Sequence, residues 1–593
     1  MLDRRSLDCD LCVVGGGLAG ICTAVSAARE GVRVILMHER PMLGGNASSE
    51  IRMWISGAHG INNRETGIIE EIALENLYRN PTKSYAVWDS ILYDFVHREK
   101  NITLLLNTTC LDAETEEGVF PHGRTIRIRR ITGYQMTTQR YIDVSAVFFA
   151  DCSGDSILAP LCGAAFRFGR EAASEFGEDS SALVPDRKTM GMSCLIQGRE
   201  TTEEVPYLPP SFSAHLTEKD FEDREPEIYN DDENYWYLEL GGNKDSIADT
   251  EEVRDELLSL ACGTWDYIKN SGNFRSENWD LDFLGFLPGK RESRRMCGEY
   301  MITQRDISDG RVFPDEIAFG GWPLDDHFPD GFYHRGVPNT DIRTPAPYSI
   351  PYRALYSANV DNLFFAGRNI SMTHMAMSSI RVMATCALLG QAVGCAAALS
   401  VKHDCRPHDV YLSHMEELQM LLLWGDSFLP SMRRPVSPLC TEAVLTGADD
   451  RIRNGEDRPH HLYGTTDETA ILHIPSGSAV TYRFPKCFVH YVHLVFDSDL
   501  DRLTLHGSTT ERTQPTRSNR RLDMVKQHMP TTLCRAFRLI GRCGNTEIEL
   551  LTATDNHLRC RHITIDAELD GLVLIPQSTW GDPDARLISF DFG

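Results

Sequence analysis

An apolar run at residues 9–14 (CDLCVV) has the length of a buried strand. A glycine cluster follows, then an Ala-rich stretch of helical spacing that stops at Gly31. A second apolar run, 32–37 (VRVILM), completes a strand–turn–helix–strand unit. Further along, the pattern predicts a helix near 66–80 and a strand at 102–106 (ITLLL). Residues 124–149 alternate as a meander, and ILAPLCGAAF reads as another helix. From 166 to about 345 the periodicity fades and aromatics accumulate. Order returns at 346–402, where a short apolar strand in NLFFAGRNI precedes twenty uncharged residues, 382–401.

Residues 403–440 read as a helical linker (YLSHMEELQMLLLW). From 441 the chain alternates in short strands: AVTYRF, VHYVHLVF, DRLTLHG, TEIELLTAT, RCRHITID, LDGLVLIP and ARLISFDF. That spacing predicts an antiparallel β-sandwich with its own apolar face, able to fold alone. The expected fold class is α/β. The changes of pattern divide the chain into 1–165, 166–345, 346–402, a helical linker 403–440 and the β-sandwich 441–593.

Composition narrows the function. With 593 residues, 42% hydrophobic and 24% charged, the chain can build several cores and is neither disordered nor coiled-coil. A net charge of −26 repels phosphate backbones, so nucleic acid is not an expected partner. Residues 217–256 hold 16 acidic and 4 basic residues, which reads as a solvated insertion. The stretch 382–401 is long enough to cross a bilayer. Its Ala, Gly, Cys and Thr content and its central Gln391 instead predict a buried core helix, and no membrane partner. Seventeen scattered cysteines and no apolar leader segment point to a cytoplasmic protein, or a periplasmic one if a leader preceded this sequence.

Chemistry concentrates in the first unit. Gly15-x-Gly17-x-x-Gly20 sits between strand and helix. Gly15 allows the turn, Gly17 lets backbone approach a pyrophosphate, and Gly20 lets helix and strand pack. Glu39 follows at the distance where an acid accepts ribose hydroxyls. The turn Asp151-Cys152-Ser153-Gly154-Asp155 suits a second backbone approach to the same dinucleotide. Metal chemistry has no signature: Cys9-x-x-Cys12 lies at the first strand, and no cysteine run could hold an iron–sulfur cluster. His460-His461, near Asp457, reads as a solvated loop.

Several segments together resemble a bacterial family of FAD-dependent oxidoreductases, the xanthan-lyase-related group with a C-terminal β-sandwich. They are GGGLAG, DCSGD, FGREAASEFGE, GFLPGKRESRRMCGEY, FGGWPLDDHFPDG, the long run PYSIPYRALYSANVDNLFFAGRNISMTHMAMSSIRVMATCALLGQAVGCAAAL, and STWGDPDARLISFDF. The resemblance implies a Rossmann-like FAD domain in two parts (1–165 and 346–402), interrupted by an inserted α+β substrate domain (166–345) and followed by a β-sandwich of galactose-binding-like type (441–593). It also implies FAD rather than NAD, because a late strand turn at Gly367-Arg368 would bring a second helix towards the flavin. The candidate cofactor contacts are Gly15, Gly17, Leu18, Ala19, Gly20, Glu39, Arg40, Gly45, Asp151, Gly154, Asp155, Gly367, Arg368, Ser378 and Gln391.

Hydride transfer to flavin from an alcohol needs a base, and His374, six residues after Arg368, is the first candidate. His59 on a Gly-flanked loop is the second. Arg294 is a candidate to stabilise developing negative charge, and Arg295, Trp322, Asp325, His327 and Arg381 are candidate substrate contacts. The expected function is FAD-dependent oxidation or reduction of a small polar hydroxylated molecule, a carbohydrate or glycoside being favoured. The electron acceptor and the oligomeric state stay open. Two alternatives remain at this point: a carbohydrate-binding or lyase-type protein with a vestigial nucleotide fold, and a flavin electron-transfer subunit related to disulfide reductases.

Overall fold

Strand β1 (Arg4–Val14) is solvated over its first half and buried from Leu11 onward. It pairs in parallel with β2 (Val34–Met37) on one side and β6 (Arg140–Asp151) on the other. β2 continues in parallel to β3 (Ile102–Leu105). On the far side of β6, β7 (Leu363–Phe365) pairs in parallel. β6 also pairs antiparallel with β5 (Ile126–Gln135), and β5 with β4 (Thr108–Glu117). The registers align the carboxyl ends. Val14 lies opposite Met37 and Asp151, and Asp151 lies opposite Phe365. Four loops far apart in sequence, after residues 14, 37, 151 and 365, therefore leave the sheet at one edge, where α/β sheets hold ligands. The computed structural model describes residues 2–221, 224–229, 234–459, 471–502, 519–524 and 526–593.

Helix α1 (Leu18–Arg29) is buried over all but its last residue. Two more helices, α2 (Ile68–Arg79) and α3 (Tyr85–His97), follow before β3. In the inserted region α4 (Thr250–Asn270) runs 21 residues, of which the first seven, to Glu256, belong to the stretch read as a solvated acidic insertion. Its buried side, Val253, Leu257, Leu260, Ala261, Thr264 and Ile268, recurs every three to four residues beneath the charges, and it packs with Trp279 and Phe332 in a separate core.

After β7 come α5 (His374–Ile380) and α6 (Met383–Lys402). α6 meets the length and hydropathy of a membrane span, yet 94% of that window is buried inside the protein. Its Gly390-x-x-x-Gly394 pair explains the contact. A Cβ on Gly390 would lie 2.1 Å from the Ala19 carbonyl oxygen, and one on Gly394 would lie 1.9 Å from Ser26 Oγ. α6 thus lies against α1 at backbone distance.

Residues 403–440 are not a linker. Val410 on α7 (Pro407–Ser413) and Leu418, Leu422 and Leu423 on α8 (Met415–Trp424) belong to the same core as the parallel sheet. All 17 cysteines are free.

The C-terminal domain is antiparallel. Its strands are β8 (Val444–Thr446), β9 (Leu472–Pro475), β10 (Val480–Phe496), β11 (Cys534–Cys543), β12 (Thr546–Ala553), β13 (Cys560–Thr579) and β14 (Asp584–Phe592). They join in the order β9-β14-β10-β13-β11-β12, with β8 on β10. Hydrogen bonding runs through all seven because β10 and β13, 17 and 20 residues long, each continue across what the sequence reads as two strands. Most of the expected strand DRLTLHG, and His460-His461, lie outside the described residues. The domain does not own its core: Leu74 and Leu77 of α2 are buried among Val492, Leu494 and Phe537. Glu70 of α2 also pairs with Arg502 at 2.7 Å.

Candidate active site

Each glycine of the first turn has its own reason. Gly15 has φ 108°, and a Cβ there would lie 2.4 Å from the Cys152 carbonyl oxygen. A Cβ on Gly20 would lie 1.8 Å from the Gly15 oxygen. Gly17 differs: its φ of −69° and ψ of 178° suit any residue, and a Cβ would meet only Gly45 Cα, at 3.9 Å. Nothing in the protein forbids a side chain there. What a side chain would fill is the cradle between Gly17 and Gly45. No side chain caps the N-terminus of α1, so its first amides face this cradle.

Two basic residues at the end of β2 frame the cradle. Gly16 N–H donates to His38 Nδ1 at 3.0 Å, and His38 Nε2 lies 2.9 Å from the Met42 carbonyl, which places the proton on Nε2. Burial first, then the Arg40 charge, push His38 down to about 4, so the ring is neutral. Arg40 Nε and Nη1 are buried without a hydrogen-bond partner among the described residues. The nearest Glu50 oxygen is 3.5 Å from Nη1.

A cavity of about 350 Å³ opens from the cradle. The turns at 15–19, 38–40, 152–155 and 367–368 line it, together with Trp54, Ser56 and a cationic wall of Lys290, Arg291, Arg294 and Arg381. Asp155 accepts from Lys290 Nζ at 2.9 Å and Arg368 Nη2 at 2.8 Å. Although burial works against it, these two cations hold the carboxyl down at about 2.

Behind the cationic wall lie two buried carboxylate–histidine–carboxylate sandwiches, and consecutive aspartates supply one slice of each. His327 has Glu239 on Nδ1 at 2.6 Å and Asp325 near Nε2 at 3.4 Å. His374 has Glu292 on Nδ1 at 2.9 Å and Asp326 on Nε2 at 3.0 Å. Desolvation opposes the charge on both rings, and the flanking carboxylates outweigh it. His327 is raised and His374 is raised to about 10. The first sandwich reaches the cavity, because Arg381 Nη2 donates to Asp325 Oδ2 at 2.9 Å and Arg291 lies 3.5 Å from Glu239. The second is locked from behind by Arg295, which also binds Glu171 at 2.7 Å.

Residues 10–422 match the model of the family described as FAD dependent oxidoreductase, more than two thirds of the sequence. The chain belongs to this FAD-dependent oxidoreductase family. No curated protein matches the sequence. Among solved structures it is similar to a geranylgeranyl bacteriochlorophyll reductase-like protein of Thermoplasma acidophilum, at 12% identity. That match covers 71% of this chain and 86% of the other, with a TM-score of 0.29. It is also similar to quinol fumarate reductase FrdA of E. coli, at 12% identity over 71% and 75% of the two chains, with a TM-score of 0.27. A family 32 carbohydrate-binding module from Streptococcus pneumoniae EndoD aligns at 11% identity with 26% of this chain and 99% of that one, with a TM-score of 0.18. The functional reading draws on none of these three.

The cradle of this FAD-dependent oxidoreductase suits its cofactor. A dinucleotide diphosphate brings acceptor oxygens, and the cradle offers uncapped helix amides, the unpartnered Arg40 donors and a space that only glycine leaves open. Of the residues proposed from sequence, Gly15, Gly17, Leu18, Ala19, Glu39, Arg40, Gly45, Gly154, Asp155, Arg294, Gly367, Arg368 and Arg381 line the cavity. Gly20 stands behind the turn as packing.

Others sit elsewhere, for visible reasons. Asp151 is buried under the turn and accepts from Ser153 N–H and Leu158 N–H at 3.0 and 2.8 Å. Ser378 donates to the Met375 carbonyl inside α5. Gln391 is not a cofactor ligand: its Oε1 accepts from Ile68 N–H at 2.9 Å, and its Nε2 donates to the Gly425 carbonyl. Arg295, 1% exposed, is occupied by Glu171 and Glu292 and does not line this cavity. Trp322 and Asp325 support Arg381 rather than face the cavity: Trp322 Nε1 donates to Asp325 Oδ2 at 3.2 Å.

The histidine assignment changes most. His374 and His327 are buried, and both nitrogens of each face a carboxylate, so neither has a free lone pair for a substrate proton. His59 is exposed, edge-on to Trp322 with ring centroids 4.6 Å apart, and does not itself line the cavity. Its loop starts at cavity-lining Ser56, whose carbonyl accepts from Ala384 N–H at the start of α6. Sequence reasoning missed His38, Lys290 and Arg291 as site residues. The end of β2 beside a glycine turn was the available signal for His38.

Proposed function

We propose that this FAD-dependent oxidoreductase transfers hydride between flavin and a small polar, hydroxylated substrate, with a carbohydrate or glycoside favoured. The observation that carries the reading is the cationic lining of the cavity. Arg381 carries an Nε with no hydrogen-bond partner among the described residues while Asp325 compensates its charge, and beside it Arg291 pairs with Glu239 and gives its Nη atoms to Ser193 Oγ and the Trp236 carbonyl. Directed donors with little net charge suit hydroxyl oxygens better than a carboxylate. Trp54 in the same wall offers a ring face for the C–H side of a sugar.

In this reading Gly17, Gly45, Arg40 and the amides of α1 hold the diphosphate, Glu39 the ribose, and the turns at Gly154–Asp155 and Gly367–Arg368 the remainder of FAD. FAD, when bound, supplies the two-electron acceptor or donor. The chain orients the reacting carbon through Arg294 and Arg381. His59, three residues beyond cavity-lining Ser56, is the candidate to take the hydroxyl proton on oxidation and return it on reduction, which requires its loop to bring the ring into the cavity.

Holoprotein mixed anaerobically with sugars, glycosides, polyols and hydroxy acids tests the assignment. Bleaching of the flavin band by a hydroxylated member supports it. A flavin that dithionite bleaches and no member of the panel touches counts against the substrate class. His59→Gln should slow the reductive step by about 10²–10⁴-fold.

A further inference from the structure

Far from the cavity, three side chains converge that the sequence keeps apart. His403 caps the C-terminus of α6, His414 sits at the junction of α7 and α8, and Glu417 lies in the first turn of α8. The two imidazoles stack with centroids 4.0 Å apart and planes 13° from parallel. His403 Nε2 is 2.8 Å and His414 Nδ1 3.5 Å from the same oxygen, Glu417 Oε2. All three donor atoms lie within 4.8 Å of one another. The side chains are 29%, 23% and 33% exposed, so solvent reaches the cluster without surrounding it.

Hydrogen bonding accounts for half of this arrangement. The His403–Glu417 contact is a good one, whereas 3.5 Å for His414 is too long for a strong bond. The other Glu417 oxygen is held by Lys402 Nζ at 2.7 Å, which fixes the carboxylate and leaves Oε2 to the two rings. Two imidazole nitrogens and one carboxylate oxygen form a donor set for a borderline divalent ion. Bonds of about 2.0–2.2 Å around a tetrahedral ion put donors roughly 3.3 Å apart, and to reach it the two stacked rings must splay so that their in-plane lone pairs converge on one ion.

We infer that His403, His414 and Glu417 form a binding site for a divalent metal ion of the zinc class, with water as the fourth ligand. The ion ties the end of α6 to the α7–α8 corner. α6 lines the cavity at Met383 and Cys386, so its length, roughly 30 Å at 1.5 Å per residue, separates the metal from the reaction. The role is therefore structural, and flavin chemistry should not depend on it.

Chelator-treated, desalted holoprotein titrated with Zn²⁺ in a calorimeter tests the site, with thermal unfolding read alongside. The wild type should take up one equivalent in a saturable step and unfold at a higher temperature with zinc than without. His403→Asn and His414→Gln, which keep the side-chain volume near native, should each weaken binding at least tenfold. Loss of a metal's outer partners alone costs about 10–100-fold. An identical zinc titration and thermal response in wild type and in the His403→Asn/His414→Gln double variant would overturn the site.

Discussion

His374 Nδ1 lies 2.9 Å from Glu292 Oε2, with the two side chains 3% and 0% exposed. Asp326 closes the other nitrogen, so the ring is an imidazolium clamped between carboxylates. It holds α5 to the inserted region and is no proton acceptor. His374→Gln should retain FAD and change flavin reduction little, while costing about 3–5 kcal/mol of stability, the usual loss when one partner leaves a buried pair. The folded pKa, about 10, lies above the unfolded 6.5. The stabilisation is then complete below pH 6.5 and is lost as pH rises through 10. Denaturant unfolding of variant and wild type should differ more at pH 6 than near pH 10. A variant of native stability with flavin reduction slowed 10²-fold would return His374 to the role of base.

Gly17 and Gly20 separate ligand demands from fold demands. Gly17→Val should fold with the thermal midpoint of FAD-free wild type and carry no FAD, because the added carbons fill only the cradle. Gly20→Val should not accumulate as folded protein, since its Cβ collides with the Gly15 carbonyl. The ratio of flavin to protein absorbance, read with a melting curve, distinguishes the two. Stoichiometric FAD in Gly17→Val would remove the diphosphate from this cradle.

His38 gives the opposite pH sign from His374. Its folded pKa of about 4 lies below the unfolded 6.5, so the unfolded chain binds the proton first and stability falls as pH drops from 6.5 towards 4. Protonation also removes the acceptor that fixes Gly16 N–H. The holoprotein should melt at a lower temperature at pH 4.5 than at pH 6.5. His38→Gln, which keeps an acceptor that does not titrate, should flatten that acid limb, whereas parallel pH profiles would exclude His38 as its source.

Asp325 acts through Arg381. Asp325→Asn should leave FAD content intact and lower kcat/KM by about 10–100-fold, the worth of one hydrogen bond to a charged group. The loss should fall mainly on KM if Arg381 grips substrate equally before and during reaction. Lost FAD in this variant would place Arg381 on the cofactor instead.

The local part of the site was legible and the long-range part was not. Gly15, Gly17, Gly20 and Glu39 carry their geometry within thirty residues, and the parallel β1–β2 unit follows from them. His374 looked catalytic because it follows Arg368 so closely. Its partners Glu292 and Asp326 come from the inserted region, and no spacing rule announces them. Gln391 looked functional as a polar residue in an apolar helix, yet it satisfies backbone at Ile68 and Gly425. In the C-terminal domain, register shifts between Arg483 and Cys487 and between Val489 and Tyr491 break the alternation of β10, so one bent strand reads as two. α4 was hidden by its charges, which occupy the face away from Leu257 and Leu260.

The central claim is hydride transfer from a carbon bearing a hydroxyl to the flavin of this chain. Its most direct test is stopped-flow, anaerobic flavin reduction by the best substrate of the panel, carrying hydrogen or deuterium at that carbon. A bleaching rate several-fold slower with deuterium, in protein free of any partner, is the expected result. Equal rates in a reaction limited by chemistry, or reduction only when a second redox protein is added, would contradict the account.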